Sequence, residues 1–129
     1  MKHHLDHSKK QEVINLYQSS EYQKALELAI RILSDNPEND FIYQILGKIY
    51  FSLSKIKKSI FYFKKAIRLD PFCFQNYNSI AIAYSEIGNE TKAIEYLKEA
   101  LTNIGQNAQA HFNIGLMYTK KNSLVKALD

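Results

Sequence analysis

The chain has 129 residues, 46% of them hydrophobic and 23% charged, with only 4 Gly and 2 Pro, which excludes disordered, low-complexity and collagen-like classes. Its formal net charge is +4, and a single cysteine, Cys73, excludes an intramolecular disulfide and any all-cysteine metal site. The most apolar run, FIYQILGKIYFSL at 41–53, is broken by Gln44 and Lys48 and falls short of the roughly 20 residues that a membrane-spanning helix needs.

In chain order, the lead MKHHLDHSKK lacks the apolar core of a secretory signal, so the sequence as given carries no export address and the cytoplasm is the default expectation. Residues 1–5 are expected to be a disordered lead, and His3, His4 and His7 of MKHHLDHSKK are read as tail residues, although His3 and His7 could bind a metal weakly were that segment helical. Apolar residues then recur at helical spacing, predicting helices over about 8–18, 21–35, 38–53, 55–69, 72–87, 90–103 and 107–121, with a further stub from 124. SEYQ at 20–23 has the form of a capping box, and Gly88-Asn89 that of a helix stop followed by a cap. Asn36-Pro37 and Asp70-Pro71 predict N-caps followed by proline at the first helical position, where its missing N–H costs nothing.

These elements repeat. Pro37 and Pro71 stand 34 residues apart, as do Tyr50, Tyr84 and Tyr118. On that period the chain divides into units 6–39, 40–73 and 74–107 and a partial unit 108–129. The matching columns include Tyr43/Tyr77/His111, Leu46/Ile80/Ile114 and Gly47/Ala81/Gly115 in the first helix of each unit. In the second they include Ala25/Ser59/Ala93/Ala127, Ala29/Phe63/Leu97 and Ile32/Ala66/Ala100. Large and small columns alternate, as two antiparallel helices need when a ridge on one enters a groove on the other. The tyrosine and phenylalanine columns are therefore expected to be packing, and His111 with them.

This grammar resembles the tetratricopeptide repeat, best in residues 40–73 through Tyr43, Leu46-Gly47, Tyr50, Phe63, Ala66 and Pro71. Unit 74–107 departs from the family pattern at Ala81 and Gly105, and unit 6–39 has Glu12, Val13 and Leu16 where Leu, Gly and Tyr would stand. The resemblance implies an all-α fold, an α-α right-handed superhelix in which the first helix of every unit lines a concave groove. It implies groove positions at Lys10, Ile14, Tyr17, Phe41, Gln44, Lys48, Phe51, Gln75, Asn78, Ile82, Ser85, Gln109, Phe112, Leu116 and Thr119. It also suggests a test for the family's clamp on acidic chaperone tails. The corresponding positions are Lys10, Ile14, Ile45, Gln75 and Ser79, or one unit later Gln44, Lys48, Ser79, Gln109 and Asn113, and neither set closes such a clamp.

No Ser-His-Asp set, phosphate-cradling glycine loop or Cys/His ligand spacing is present, so no enzyme, cofactor or metal site is expected. The leading expectation is a non-enzymatic protein-interaction module that takes a peptide or helical segment of a partner. The alternatives are a scaffold unit that self-associates through the incomplete 108–129 end, as a repeat stack lacking a polar cap would, and a binder of anionic surfaces or nucleic acid. The last rests on unit 40–73, which holds seven Lys/Arg against Asp40 and Asp70, whereas 74–107 is net negative. A solvated helix face is the plainer reading of those cations, and nucleic acid is not the expected partner.

Overall fold

The computed structural model describes residues 7–128; the expected lead at 1–5, with His3 and His4, and the Ala127 packing position lie outside the described side chains. Among the described residues there are seven helices and no strand. They are α1 (His7–Gln18), α2 (Tyr22–Asp35), α3 (Asp40–Ser52), α4 (Ile56–Leu69), α5 (Phe74–Glu86), α6 (Glu90–Ile104) and α7 (Ala108–Leu128). The chain divides into two compact units that meet in sequence at Leu69 and Asp70.

The connection inside each helix pair is one motif used three times. Ser20, Ser54 and Gly88, each 34 residues from the next, adopt left-handed backbone with φ of 60°, 61° and 79°. Around them the N–H groups of Glu21, Lys55 and Asn89 donate to the carbonyls of Leu16, Tyr50 and Tyr84, all at 2.9 Å. Those of Ser20, Ser54 and Gly88 donate to Tyr17, Phe51 and Ser85. This is the Schellman pattern, which satisfies carbonyls that a helix end would otherwise leave without donors.

The expected stop at Gly88-Asn89 is present, and the Asn89 side chain accepts from the Lys92 N–H as a cap of α6. The expected capping box at SEYQ is not. Ser20 serves as the left-handed residue that closes α1, and Glu21 occupies the cap site of α2 without a side-chain bond to the helix's amides.

The two prolines also take a different place from the one expected. Pro37 sits in a four-residue turn closed by the Asn39 N–H on the Asn36 carbonyl at 3.2 Å, where its fixed φ suits the second turn position. Asn39, not Asn36, caps α3, and Cys73 precedes α5. Asp70 accepts instead from the Phe72 N–H at 3.1 Å. Each proline carbonyl receives the hydroxyl of the column tyrosine six residues on, Tyr43 on Pro37 and Tyr77 on Pro71, both at 2.8 Å.

In the first unit the core runs through Val13, Ala25, Ala29, Ile42, Leu46 and Ile49, each fully buried or nearly so. Tyr62 of α4 stacks on Tyr50 of α3 at 5.4 Å between centroids. Gly47 is where α3 and α4 touch: a Cβ there would stand 2.6 Å from Phe63. Beside it the buried Ser59 hydroxyl donates to the Gly47 carbonyl at 2.7 Å, possible only because the backbones are close. In the second unit Tyr84 and Tyr96 repeat the stack at 5.6 Å, over Tyr77, Ile80, Ala81, Ala93 and Leu97.

The fourth unit departs from expectation. No break separates a helix at 107–121 from a stub at 124; α7 is continuous over 21 residues, and Asn122, the position that matches Ser20, Ser54 and Gly88, stays helical. Tyr118 is 40% exposed while Tyr50 and Tyr84 are buried, and a Cβ added at Gly115 would meet nothing within 4 Å. His111, expected to pack, is exposed and bonds Gln106 at 2.8 Å, because Gly105 replaces the proline whose turn its column neighbours fold onto.

Candidate functional site

The expected partner-binding positions fall on α1 and α3 in the first unit and on α5 and α7 in the second. On α3, Gln44, Lys48 and Phe51 recur at i, i+4 and i+7, which places them on one face, each half-buried. Lys10 of α1 reaches the Phe41 ring of α3, its ammonium 4.5 Å from the centroid. Ile14 and Tyr17 are half-buried, and Tyr17 leans on Tyr22 at 5.7 Å, so its ring belongs largely to the core edge.

The second unit is the better defined. Asn113 of α7 donates to the Asn78 side-chain carbonyl of α5 at 2.7 Å, and Lys120 donates to the Ser85 hydroxyl at 2.7 Å and its carbonyl at 3.3 Å. Both partners advance by seven residues, so α5 and α7 run parallel and are tied by two rungs roughly 10 Å apart. Ile82 and Leu116 lie between the rungs on the same helix faces, and they are 42% and 51% exposed. Phe112, one residue before the first rung, is 66% exposed. Gln109 and Thr119 are exposed as well, and the Thr119 hydroxyl donates back to the Gly115 carbonyl.

Ser85 stands apart from the other positions. It is buried, and its hydroxyl is engaged in both roles, accepting from Lys120 and bonding the Glu90 carboxylate at 3.0 Å. Glu90 itself is only 2% exposed at the start of α6, with the Lys120 ammonium 3.5 Å away. The site thus contains an ionic lock that repeat reasoning missed. One signal pointed to it: Glu90 occupies the column of Tyr22 and Ile56, and a carboxylate in a half-apolar column needs a cation from elsewhere in the chain. Further along α7, the Tyr118 hydroxyl accepts from Lys98 at 3.0 Å, and that bond and charge hold the phenol below its ordinary pKa.

Chemically these faces offer apolar side chains flanked by amides and ammonium groups. Among the described residues no three His, Cys, Asp or Glu side chains gather as a metal site, and no helix is long and apolar enough to cross a membrane.

The chain is similar over 88 residues to the protein CTR9 homolog of Arabidopsis thaliana, at 31% identity, covering 67% of this chain but only 8% of that protein. The Sgt2 tetratricopeptide domain of Aspergillus fumigatus superposes with a TM-score of 0.82 at 17% identity, over 95% of this chain and 82% of that one. The first such domain of Spaghetti (RPAP3), solved with the HSP90 peptide SRMEEVD, superposes with a TM-score of 0.78 at 15% identity, over 88% and 90%. The sequence model of the family matches residues 42–73 and 74–107, half of the chain, with the boundary between the matches where the 34-residue period puts it. On that match and on its helix pairs, the chain belongs to the tetratricopeptide repeat family.

Proposed function

We propose that the chain is a non-catalytic protein-interaction module that seats a segment of a partner protein along the α5/α7 face. The observation that carries this reading is the pair of rungs at Asn78–Asn113 and Ser85–Lys120 with Ile82 and Leu116 left exposed between them. The rungs fix the spacing of two helices, and the residues they frame have no work inside the fold. Apolar side chains of a partner would bury there, while Gln109 and the amide of Asn78 offer donors and acceptors for an extended backbone.

The relative of known structure that carries an HSP90 peptide supports a protein ligand as a class, not that ligand. A tail rich in carboxylates needs several cations along its path, and here either set of clamp positions holds one, Lys10 or Lys48, the others being uncharged residues such as Ile14, Gln75, Ser79 and the buried Ile45. The partner segment is therefore apolar and hydrogen-bonding rather than acidic.

A peptide-display selection followed by titration of the selected peptide tests the reading. Ile82→Asp with Leu116→Asp should weaken binding more than tenfold, about 1.4 kcal/mol or more, with helix content unchanged. Equal affinity of the folded double variant would remove this face from the account.

A second reading has its own observation: Gly115 and Tyr118 leave a face of α7 open that α3 and α5 give to their following helices. A second copy covering it would make the mass concentration-dependent in light scattering, and Tyr118→Lys would abolish that dependence.

A further inference from the structure

The second helices of the first three repeats share one fold and one register, so their outer faces can be compared position by position. On α2 the charged residues are Lys24, Glu27, Arg31 and Asp35; on α6 they are Glu90, Lys92, Glu95, Lys98 and Glu99. Each mixes signs; Lys24 pairs with Glu21 at the cap of α2 at 3.2 Å, and Lys92 with Glu95 within α6 at 3.3 Å. Helix α4, IKKSIFYFKKAIRL, contains five cations and no carboxylate.

At the position that carries Glu27 on α2 and Glu95 on α6, it carries Phe61, whose ring is 54% exposed. Lys57, Phe61, Lys64, Lys65 and Arg68 fall at i, i+4, i+7, i+8 and i+11, one stripe roughly 16 Å long. The opposite side is committed to the core through Ser59, Ile60, Phe63, Ala66 and Ile67. Like charges at i, i+3 and i, i+4, such as Lys65 with Arg68 and Lys64 with Arg68, work against the helix. Repeat packing alone asks for none of this, since α2 and α6 fold with mixed charge.

We propose that the exposed stripe of α4 docks the chain on an anionic phospholipid surface, with Phe61 entering the headgroup layer among the flanking ammonium groups. This is independent of the partner groove. The choice of occupant follows from the ring and the cations.

Phe61 meets Tyr62 edge-on at 5.2 Å, and the Lys65 ammonium stands over its face 5.5 Å from the centroid. A nucleobase would need that face for stacking, whereas insertion between headgroups needs only the exposed rim. Four of the five cations are lysines, compact point charges without the planar fork that reads phosphate or carboxylate in a fixed geometry. Lysine is also depleted in the cores of protein interfaces. A straight ridge of such charges can meet a flat, negatively charged plane all at once, each cation adding about fivefold to binding.

The test is co-sedimentation of the full chain with phosphatidylcholine vesicles, with and without phosphatidylserine, at low and at physiological salt. Binding is expected only with phosphatidylserine and should fall as salt rises. Lys57→Gln with Lys65→Gln should weaken it about 25-fold. Phe61→Glu, which restores the residue type of the other two helices, should reduce it by more than the Phe61→Ser loss of about fivefold. Lys24→Gln with Lys92→Gln, on α2 and α6, should leave it within about twofold, and helix content by circular dichroism confirms that every variant folds. No sedimentation on phosphatidylserine vesicles at low salt, or sedimentation indifferent to the α4 variants, would overturn the proposal. So would tighter binding to a single-stranded oligothymidylate that the same variants abolish, since the face would then belong to nucleic acid.

Discussion

The glycine column offers the sharpest test of the packing, because two of its members should respond to the same substitution with opposite sign. At Gly47 an added Cβ would meet Cε1, Cδ1 and Cζ of Phe63 at 2.6, 2.7 and 2.9 Å, and the ring it meets is only 2% exposed. The ring cannot withdraw without disturbing a filled core, which costs about 1–3 kcal/mol. Alanine returns about 1 kcal/mol of helix propensity, and the Ser59 bond to the Gly47 carbonyl would stretch as the helices part. The net expectation for Gly47→Ala is a loss of about 1–2 kcal/mol. At Gly115 nothing lies within 4 Å, so Gly115→Ala should keep the propensity gain and stabilise by up to about 1 kcal/mol. Urea titrations followed by circular dichroism measure both, and Gly47→Ala with Phe63→Leu, which exchanges the flat ring for a smaller and more adaptable side chain, should recover part of the loss. If Gly47→Ala and Gly115→Ala shift the midpoint equally, α3 and α4 are not in the close contact described.

Three further outcomes follow from the same geometry. Ser54→Gly should stabilise the first unit by about 0.5–1 kcal/mol in urea titration, because Ser54 holds φ at 61° where glycine pays no Cβ penalty, and Gly88→Ser should lose a similar amount. Lys120→Met removes the cation beside the buried Glu90 carboxylate, whose Oε2 has no hydrogen-bond partner, and should cost about 1–3 kcal/mol, below the full buried-pair figure because the lysine is half exposed. Lys92→Met, in an exposed pair, should cost under about 0.5 kcal/mol. Burial beside Tyr84 pushes the Tyr96 phenol from 10.0 up to about 12, so the folded state holds that proton more tightly than the unfolded one. Its contribution is fully present below the unfolded value of 10.0 and is lost as pH rises through about 12, so urea midpoints should be flat at neutral pH and drop in that alkaline window. Tyr96→Phe should flatten part of the drop.

What could be read in advance was whatever the fold repeats. Tyr50 and Tyr84 are buried as their column demands, and Gly47 is small because Phe63 occupies its space. Those signals come from side chains that face a neighbour at every turn of the period. Ser20 was misread for a physical reason: serine ranks high as an N-cap, and a tight connection makes one residue eligible both to open a helix and to close the previous one. The backbone hydrogen bonds, which sequence does not display, decide between the roles. The Lys120–Glu90 lock was hidden differently, since it joins residues 30 apart through an ionic need that no column repeats.

Asn122 shows how far a local pattern determines a local structure. Its surroundings match those of Ser54 and Gly88, yet α7 passes straight through it. Bending there would cost about 1 kcal/mol for a left-handed asparagine and would open several intrahelical hydrogen bonds. In the first pair that cost is offset by Ala25, Leu26, Ala29 and Ile32, all buried in α2. On α7 the residues that follow Asn122, namely Ser123, Leu124, Val125 and Lys126, are all exposed and bury nothing that would offset the bend, so the helix continues. The turn is therefore not encoded by the turn residues alone; it forms where the helix that follows can bury enough surface to hold it closed.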